Sequence, residues 1–227
     1  MDGTLLTALA VIPALVIAIV FHEVAHGWTA LALGDPTAKE RKRLSFNPIR
    51  HIDPIGTLLV PGALYLSGLP AFGWAKPVPV IKQRLNNPRF GMMAVAAAGP
   101  GMNLVLGVIG ALFLGLLARG GVQAEGPTGF AIASLYSFIA INIFLALFNL
   151  LPLPPFDGSH IVEGLLPPRA AQVYDKLRPF GFPLLFLLLL VIPYFFPGLG
   201  IVERVVLPPF RWAEGYFMGL ASWVAGG

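Results

Sequence analysis

Residues 3–34 read GTLLTALAVIPALVIAIVFHEVAHGWTALALG. There is no charge from Gly3 to Phe21, and the apolar run resumes from Gly27 to Gly34. A hydrocarbon core about 30 Å thick is crossed by about 20 apolar residues in a helix, so the stretch is long enough to span one. A cleaved signal is not expected, because Asp2 stands where a basic leader belongs and the run meets His22 and Glu23 instead of a small-residue cleavage site.

The rest of the chain is of the same kind. Of its 227 residues, 56% are hydrophobic and 11% charged, with a mean hydropathy of +0.78. A soluble domain carries roughly a quarter charged residues, so the composition excludes a fully hydrated surface, and intrinsic disorder with it. The lipid bilayer is the expected surrounding. The absence of cysteine removes disulfides, thiolate metal sites and a cysteine nucleophile. The net charge of +4 comes from cations placed beside apolar segments, where they set topology, so no nucleic-acid partner is expected.

Further uncharged runs cover 54–71, 90–118, 126–156 and 180–200. Pro61, Gly62, Gly68 and Pro70 interrupt the first of these, which reads more easily as a re-entrant segment or short hairpin than as a regular span. Pro183 and Pro193 are expected to bend the last. The tail 205–224 carries Arg211, Glu214, Trp212 and Trp223 and suits either the interface or a span. Twelve of the fifteen Lys and Arg residues fall in three loops, at 39–50, 76–89 and 169–178. The positive-inside rule places all three in the cytoplasm only if 54–71 returns to the side it left, with Arg119 outside. The expected fold is an all-α integral membrane protein of five to six transmembrane helices. It forms one domain over 1–227, with a core at 4–165 and C-terminal membrane segments at 180–225.

His22-Glu23-Val24-Ala25-His26 matches H-E-x-x-H. Histidines at i and i+4 share one helix face, so both imidazoles reach one tetrahedral ion, and the Glu beside them is placed to take a proton from an activated water. With this composition the pattern arises by chance in about one such chain in 500. Ionisable groups in a lipid-embedded helix are costly without partners, which favours a metal site over a helix-end histidine pair. Catalytic zinc takes three protein ligands and keeps a fourth position open. Asp157, in Asn149-Leu-Leu-Pro-Leu-Pro-Pro-Phe-Asp157-Gly158, ends a segment that runs in the same direction as the first, which brings it to the depth of His22 and His26. Alone it would read as an Asp-Gly turn; with the histidine pair it reads as the third ligand. A metal-dependent transport or binding protein is the alternative class, but transporters show internal repeats and this chain has none.

Together these residues resemble the site-2 protease family of intramembrane zinc metalloproteases. The likeness continues through Gly34-Asp35-Pro36-Thr37-Ala38, Asn47-Pro48-Ile49-Arg50-His51-Ile52-Asp53-Pro54 and Gly73-Trp74-Ala75-Lys76-Pro77-Val78-Pro79-Val80, as in the compact bacterial branch without PDZ or CBS domains. The resemblance implies one zinc ion per chain on His22, His26 and Asp157, with Glu23 as general base. It implies a multi-pass protein of the plasma (inner) membrane, with the site toward the cytoplasm. The substrate would be a transmembrane helix of another membrane protein, held unwound by a loop or small β-hairpin over Phe72 to Val80. Since Pro77 and Pro79 lack an N–H, Val78 and Val80 are expected to supply the donors. Asn103, in a G-x-x-x-N motif on a ridge with Gly99 and Gly107, suits either a role near the site or an interhelical hydrogen bond. Asn149 suits an oxyanion donor or a helix-end cap. His51 could tune the site or be a plain interfacial histidine, and His160 could reach the metal or be solvated. Nothing in the sequence fixes an oligomeric state.

Overall fold

The computed structural model describes residues 3–68, 73–121, 125–196, 199–200 and 202–227. Among these the chain is helical and contains no strand. The first long helix, α1 (Gly3–Ala32), ends at a turn leading to a single-turn helix, α2 (Thr37–Glu40). A π-turn at Pro54–Leu59 then feeds the short α3 (Val60–Leu66). α4 (Pro88–Arg119) starts cleanly because the Asn87 side chain accepts the Phe90 N–H and Pro88 supplies a preset first turn. α5 (Gly126–Asn149) follows, then α6 (Asp157–Leu165) and α7 (Pro168–Asp175). The proline-containing stretch beyond is broken into α8 (Gly181–Phe186), a π-turn at Leu187–Val191 and α9 (Ile192–Phe195). Pro193 has no N–H for the carbonyl one turn back, which explains a widened turn at that place. The chain closes with α10 (Leu207–Ala225).

The bundle is built around α4. Gly91, Val95, Gly99, Asn103, Gly107, Ala111 and Gly115 recur every fourth residue along it, and all are buried. A ridge of such small residues lets neighbouring backbones approach closely. α1 runs antiparallel to α4, with His26 against Val95 and Asn103 against Ala18. α5 is also antiparallel to α4, with Asn142 on Asn103 and Ile139 near Gly110, so α1 and α5 run in the same direction. α10 lies parallel to α4, Phe217 beside Gly107 and Val224 beside Gly115. Ala111, Ile139, Ile143 and Ala221 form the apolar core of these contacts. Leu5, Leu9, Ile12 and Ile17 on α1, and Val105, Phe113 and Leu116 on α4, face outward and exposed, as lipid contact requires.

Four helical stretches among the described residues are long and apolar enough to cross a membrane: Leu5–Ala32, Pro88–Arg119, Gly126–Asn149 and Pro168–Phe195. α10 is more polar and packs along α4 at the outside of the bundle, with Glu214 held by the Tyr136 hydroxyl at 2.5 Å. The apolar helix Pro54–Leu64 rises only about 16 Å, roughly half the hydrocarbon core. Its flanks are tied together, since the Lys76 N–H donates to the His51 carbonyl and the Trp74 N–H to the Gly56 carbonyl. The segment therefore begins and ends in one place. Pro70, Ala71 and Phe72 lie outside the described residues. From Gly73 to Ile81 the chain is an irregular loop, so the loop form of the expected hairpin-or-loop is the one present.

The three cation-rich loops gather at one end of the bundle. The Asn86 N–H donates to the Leu33 carbonyl, Arg89 donates to the carbonyls of Gly164 and Leu166, and Glu163 receives both Lys82 and Arg178. Arg119 sits at the far end of α4.

Candidate metal centre

Each residue of the site arrives on a different device. His22 and His26 stand one helical turn apart on α1, with their rings edge to face at 4.6 Å. Asp157 opens α6, folded back against the end of α5. Gly158 makes that fold possible, because a Cβ there would collide with the carbonyl oxygens of Leu150 and Leu151. Gly99 on α4 makes room for both imidazoles: a Cβ would lie 2.5 Å from His26 Cε1 and 2.6 Å from His22 Cε1.

The second nitrogen of each ring fixes its tautomer. His26 Nδ1 lies 2.7 Å from the Val95 carbonyl oxygen, which only accepts, so Nδ1 carries the hydrogen and Nε2 the lone pair. It does so in the turn where Pro100 leaves the Ala96 carbonyl without its helical donor. His22 Nδ1 lies 2.6 Å from Asn103 Oδ1. The Asn103 amide cannot be reversed, because its Nδ2 donates to the Ala18 carbonyl at 3.1 Å and to Asn142 Oδ1 at 2.9 Å. Asn142 in turn donates to the Phe138 carbonyl at 2.8 Å. His22 is therefore also an Nδ1–H tautomer.

Both lone pairs then point at one place. His22 Nε2 and His26 Nε2 are 3.0 Å apart, and Asp157 Oδ2 is 3.1 and 3.3 Å from them. Two neutral imidazole lone pairs and a carboxylate crowded together need a cation between them. A tetrahedral ion with 2.0–2.1 Å bonds has ligand–ligand edges of about 3.3–3.4 Å, close to this triangle, and the N2O donor set suits zinc. Among the described residues no other group of three or more His, Cys, Asp or Glu side chains is placed to hold a metal.

Glu23 is half-buried and outside the triangle. Its Oε2 accepts the Val78 N–H at 2.7 Å, which fixes the carboxylate against the 73–81 loop. The same loop is tied at its far end by Asp35, which is fully buried and accepts from the N–H groups of Thr37 and Ile81. Burial opposes ionisation of Asp35, and these hydrogen bonds with the Thr37 hydroxyl overcome it and lower its pKa.

Other candidate residues lie elsewhere. Asn149 ends α5 with Nδ2 donating to the Leu145 carbonyl at 3.0 Å, turned along its own helix. His51 is buried and donates from Nε2 to the Ser45 carbonyl at 2.7 Å, while its Nδ1 has no partner. His160 faces Arg178 and Glu163, not the triangle; burial and then the Arg178 guanidinium push its pKa down to about 4. Val78 cannot serve as a free strand donor as expected, because Glu23 already holds its N–H. Three residues of the site escaped sequence reading: Asn142, Asp35 and the Val95 carbonyl. An asparagine amid the apolar run 137–148 is the signal that could have found the first.

An all-helical bundle with lipid-facing apolar sides and a His2Asp triangle inside defines the class of membrane-embedded metalloenzymes. Comparison with known proteins sharpens this. The model of peptidase family M50 matches residues 122–192, which include Asn149 and Asp157. The chain is 39% identical over 198 residues to "Putative zinc metalloprotease YwhC" of Bacillus subtilis (strain 168), covering 85% of this chain and 87% of that protein. It is 30% identical over 172 residues to "Putative zinc metalloprotease Rip2" of Mycolicibacterium smegmatis, covering 76% of this chain and 62% of that one. No solved structure matches it. The chain belongs to peptidase family M50, the site-2 proteases, and is a membrane metalloprotease.

Proposed function

We propose that this protein cuts peptide bonds within the membrane, in transmembrane segments of other proteins, with one zinc ion held by His22, His26 and Asp157. The observation that carries this reading is the pair of Nδ1 hydrogen bonds, to Asn103 and Val95, which aim both Nε2 lone pairs at Asp157 inside the helical bundle. When bound, zinc supplies a Lewis acid that polarises the scissile carbonyl and lowers the pKa of water at the site. Glu23 takes the proton of the attacking water on its carboxylate and returns it to the leaving amine nitrogen. Its hold on the Val78 N–H keeps that carboxylate aimed while substrate is absent.

His22 lies ten residues before the end of α1, about 15 Å along the axis from the cation-rich end of the bundle. If that end faces the cytoplasm, cleavage falls in the cytoplasmic part of the substrate helix. A helix satisfies its own amides, so a stretch must unwind and find new partners. In the 73–81 loop Trp74, Lys76 and Val78 all donate inward, to Gly56, His51 and Glu23. In an extended chain, alternate residues face the other edge, which here holds Ala75, Pro77 and Pro79. The two prolines offer only carbonyls, so an unwound substrate docks by donating its own N–H groups.

Metal analysis combined with cleavage of a model transmembrane peptide tests the reading. Glu23→Gln should keep about one zinc per chain and lose proteolysis, whereas His22→Ala and Asp157→Ala should lose both. Stoichiometric loss of metal in Glu23→Gln would make it a ligand and overturn its assignment as a base.

A further inference from the structure

At the cation-rich end, Arg41, Lys42, Arg43, Arg50 and Lys76 line one open cleft of about 350 Å³, together with Ile49 and Ile52. No carboxylate lines it. Elsewhere at this end Arg84 pairs with Glu40, and Lys82 and Arg178 with Glu163. Among the described residues, none of the five cleft cations is within ion-pair distance of an acid. The topology rule requires cations on this side of the membrane, but it does not require five of them to line one cleft that has no carboxylate in its lining.

Arg43 shows that the cleft is built. It is only 9% exposed, its Nη2 donates to the Lys76 carbonyl at 2.7 Å, and its Nε is buried with no partner. A buried guanidinium N–H without an acceptor is costly, and a guanidinium fork matches the paired oxygens of a phosphate or a carboxylate. The lining has exposed apolar side chains as well: Ile49 is 72% exposed and Ile52 39%. Cations beside exposed apolar side chains are the pattern of a surface seated among lipid headgroups.

We propose that this cleft binds a phosphate group, that of an anionic phospholipid headgroup in the surrounding leaflet. Arg43 then links the headgroup, through the Lys76 carbonyl, to the segment that carries Val78. The site is independent of the proteolytic reading and is tested without cleavage.

The test uses the purified full chain in neutral detergent, mixed with phosphatidylglycerol or phosphatidylcholine, with bound lipid counted by native mass spectrometry. One phosphatidylglycerol should be retained in preference to phosphatidylcholine. Replacing the exposed cations together (Arg41→Gln, Lys42→Gln and Arg50→Gln) should weaken that retention by at least about tenfold. Arg43→Gln should do the same, and the exposed triple variant keeps the test decisive if Arg43→Gln fails to fold. A charge-matched control (Arg119→Gln, Arg169→Gln and Lys176→Gln) should bind like the parent. Displacement of the lipid by millimolar inorganic phosphate would support the site and assign it to the free ion. Equal retention of the two lipids, or equal loss in the control, would overturn the proposal.

Discussion

Gly99→Ala is the sharpest test of how the metal centre is held. The added methyl would sit 2.5 Å from His26 Cε1 and Nε2 and 2.6 Å from His22 Cε1. Carbon contacts settle near 3.5–4.0 Å, so α1 and α4 must part by about 1 Å or both imidazoles must turn. Parting stretches the Nδ1 bonds, now 2.6 Å to Asn103 and 2.7 Å to Val95, to about 3.6 Å, where they no longer act as hydrogen bonds. Overpacking of this kind costs about 1–3 kcal/mol of stability, and loss of the groups that orient metal ligands costs about 10–100-fold in affinity. A ligand misplaced by about 1 Å adds a loss of about 10²-fold in rate. The assay is a zinc titration against a buffered chelator, with cleavage of a transmembrane peptide measured on the same sample. Gly101→Ala is the control: nothing lies within 4 Å of its new methyl, so it should be neutral or slightly stabilising. Unchanged zinc affinity and rate in Gly99→Ala would refute the account of α4 as the wall of the site.

Asn103→Leu removes the acceptor of the His22 Nδ1–H and should weaken zinc binding by about 10–100-fold while helix content, followed by circular dichroism, stays the same. Single cysteines at Lys39, Gln83 and Gln172 should react with an impermeant maleimide only from the cytoplasmic side, and one at Glu125 only from outside; labelling of position 83 from outside would mean that 54–71 crosses fully. The His160 pKa, about 4 in the fold against 6.5 in an unfolded chain, stabilises the native state above pH 6.5, and that stability drains away as pH falls toward 4. The loss is at most about 3 kcal/mol, and thermal melts of His160→Gln in detergent should show a shallower decline between pH 6.5 and 4 than the parent.

What could be read from the sequence was what a local period or a global direction encodes. The spacing of His22 and His26 is a helical period, and a period survives any tertiary arrangement. Asp157 is 135 residues from His22, yet its depth followed from the direction of two apolar segments, and α1 and α5 do run in the same direction. Asn103 was open between site and interhelical bond because it is both: one amide face meets His22 and the other Asn142. The loop after Gly73 was harder. Its inward bonds alternate as a strand's would, but they end on an isolated carbonyl at His51, another at Gly56 and the Glu23 carboxylate, so no ladder can form. That the Val78 N–H serves the Glu23 carboxylate instead of a substrate depends on a contact spanning 55 residues, and no pattern in the loop announces it.

The arrangement of buried polar atoms carries the argument one step past the motif. A membrane helix that holds two histidines, packed on helices with buried asparagines, must settle every donor and acceptor inside the bundle. Here the accounting closes almost completely. The Nδ1–H of each histidine, both amide hydrogens of Asn103 and the amide of Asn142 each end on a carbonyl or amide oxygen. The polar atoms of this network left facing one another are the Nε2 of His22, the Nε2 of His26 and Asp157 Oδ2, three acceptors within 3.3 Å. A metal ion, or a proton on one Nε2, relieves the repulsion among them. The network therefore does more than tolerate a metal, because its hydrogen bonds hold the three acceptors together where a shared cation relieves their repulsion. Helix packing and metal binding are for that reason energetically coupled, and substitutions at Gly99 and Asn103 should affect both.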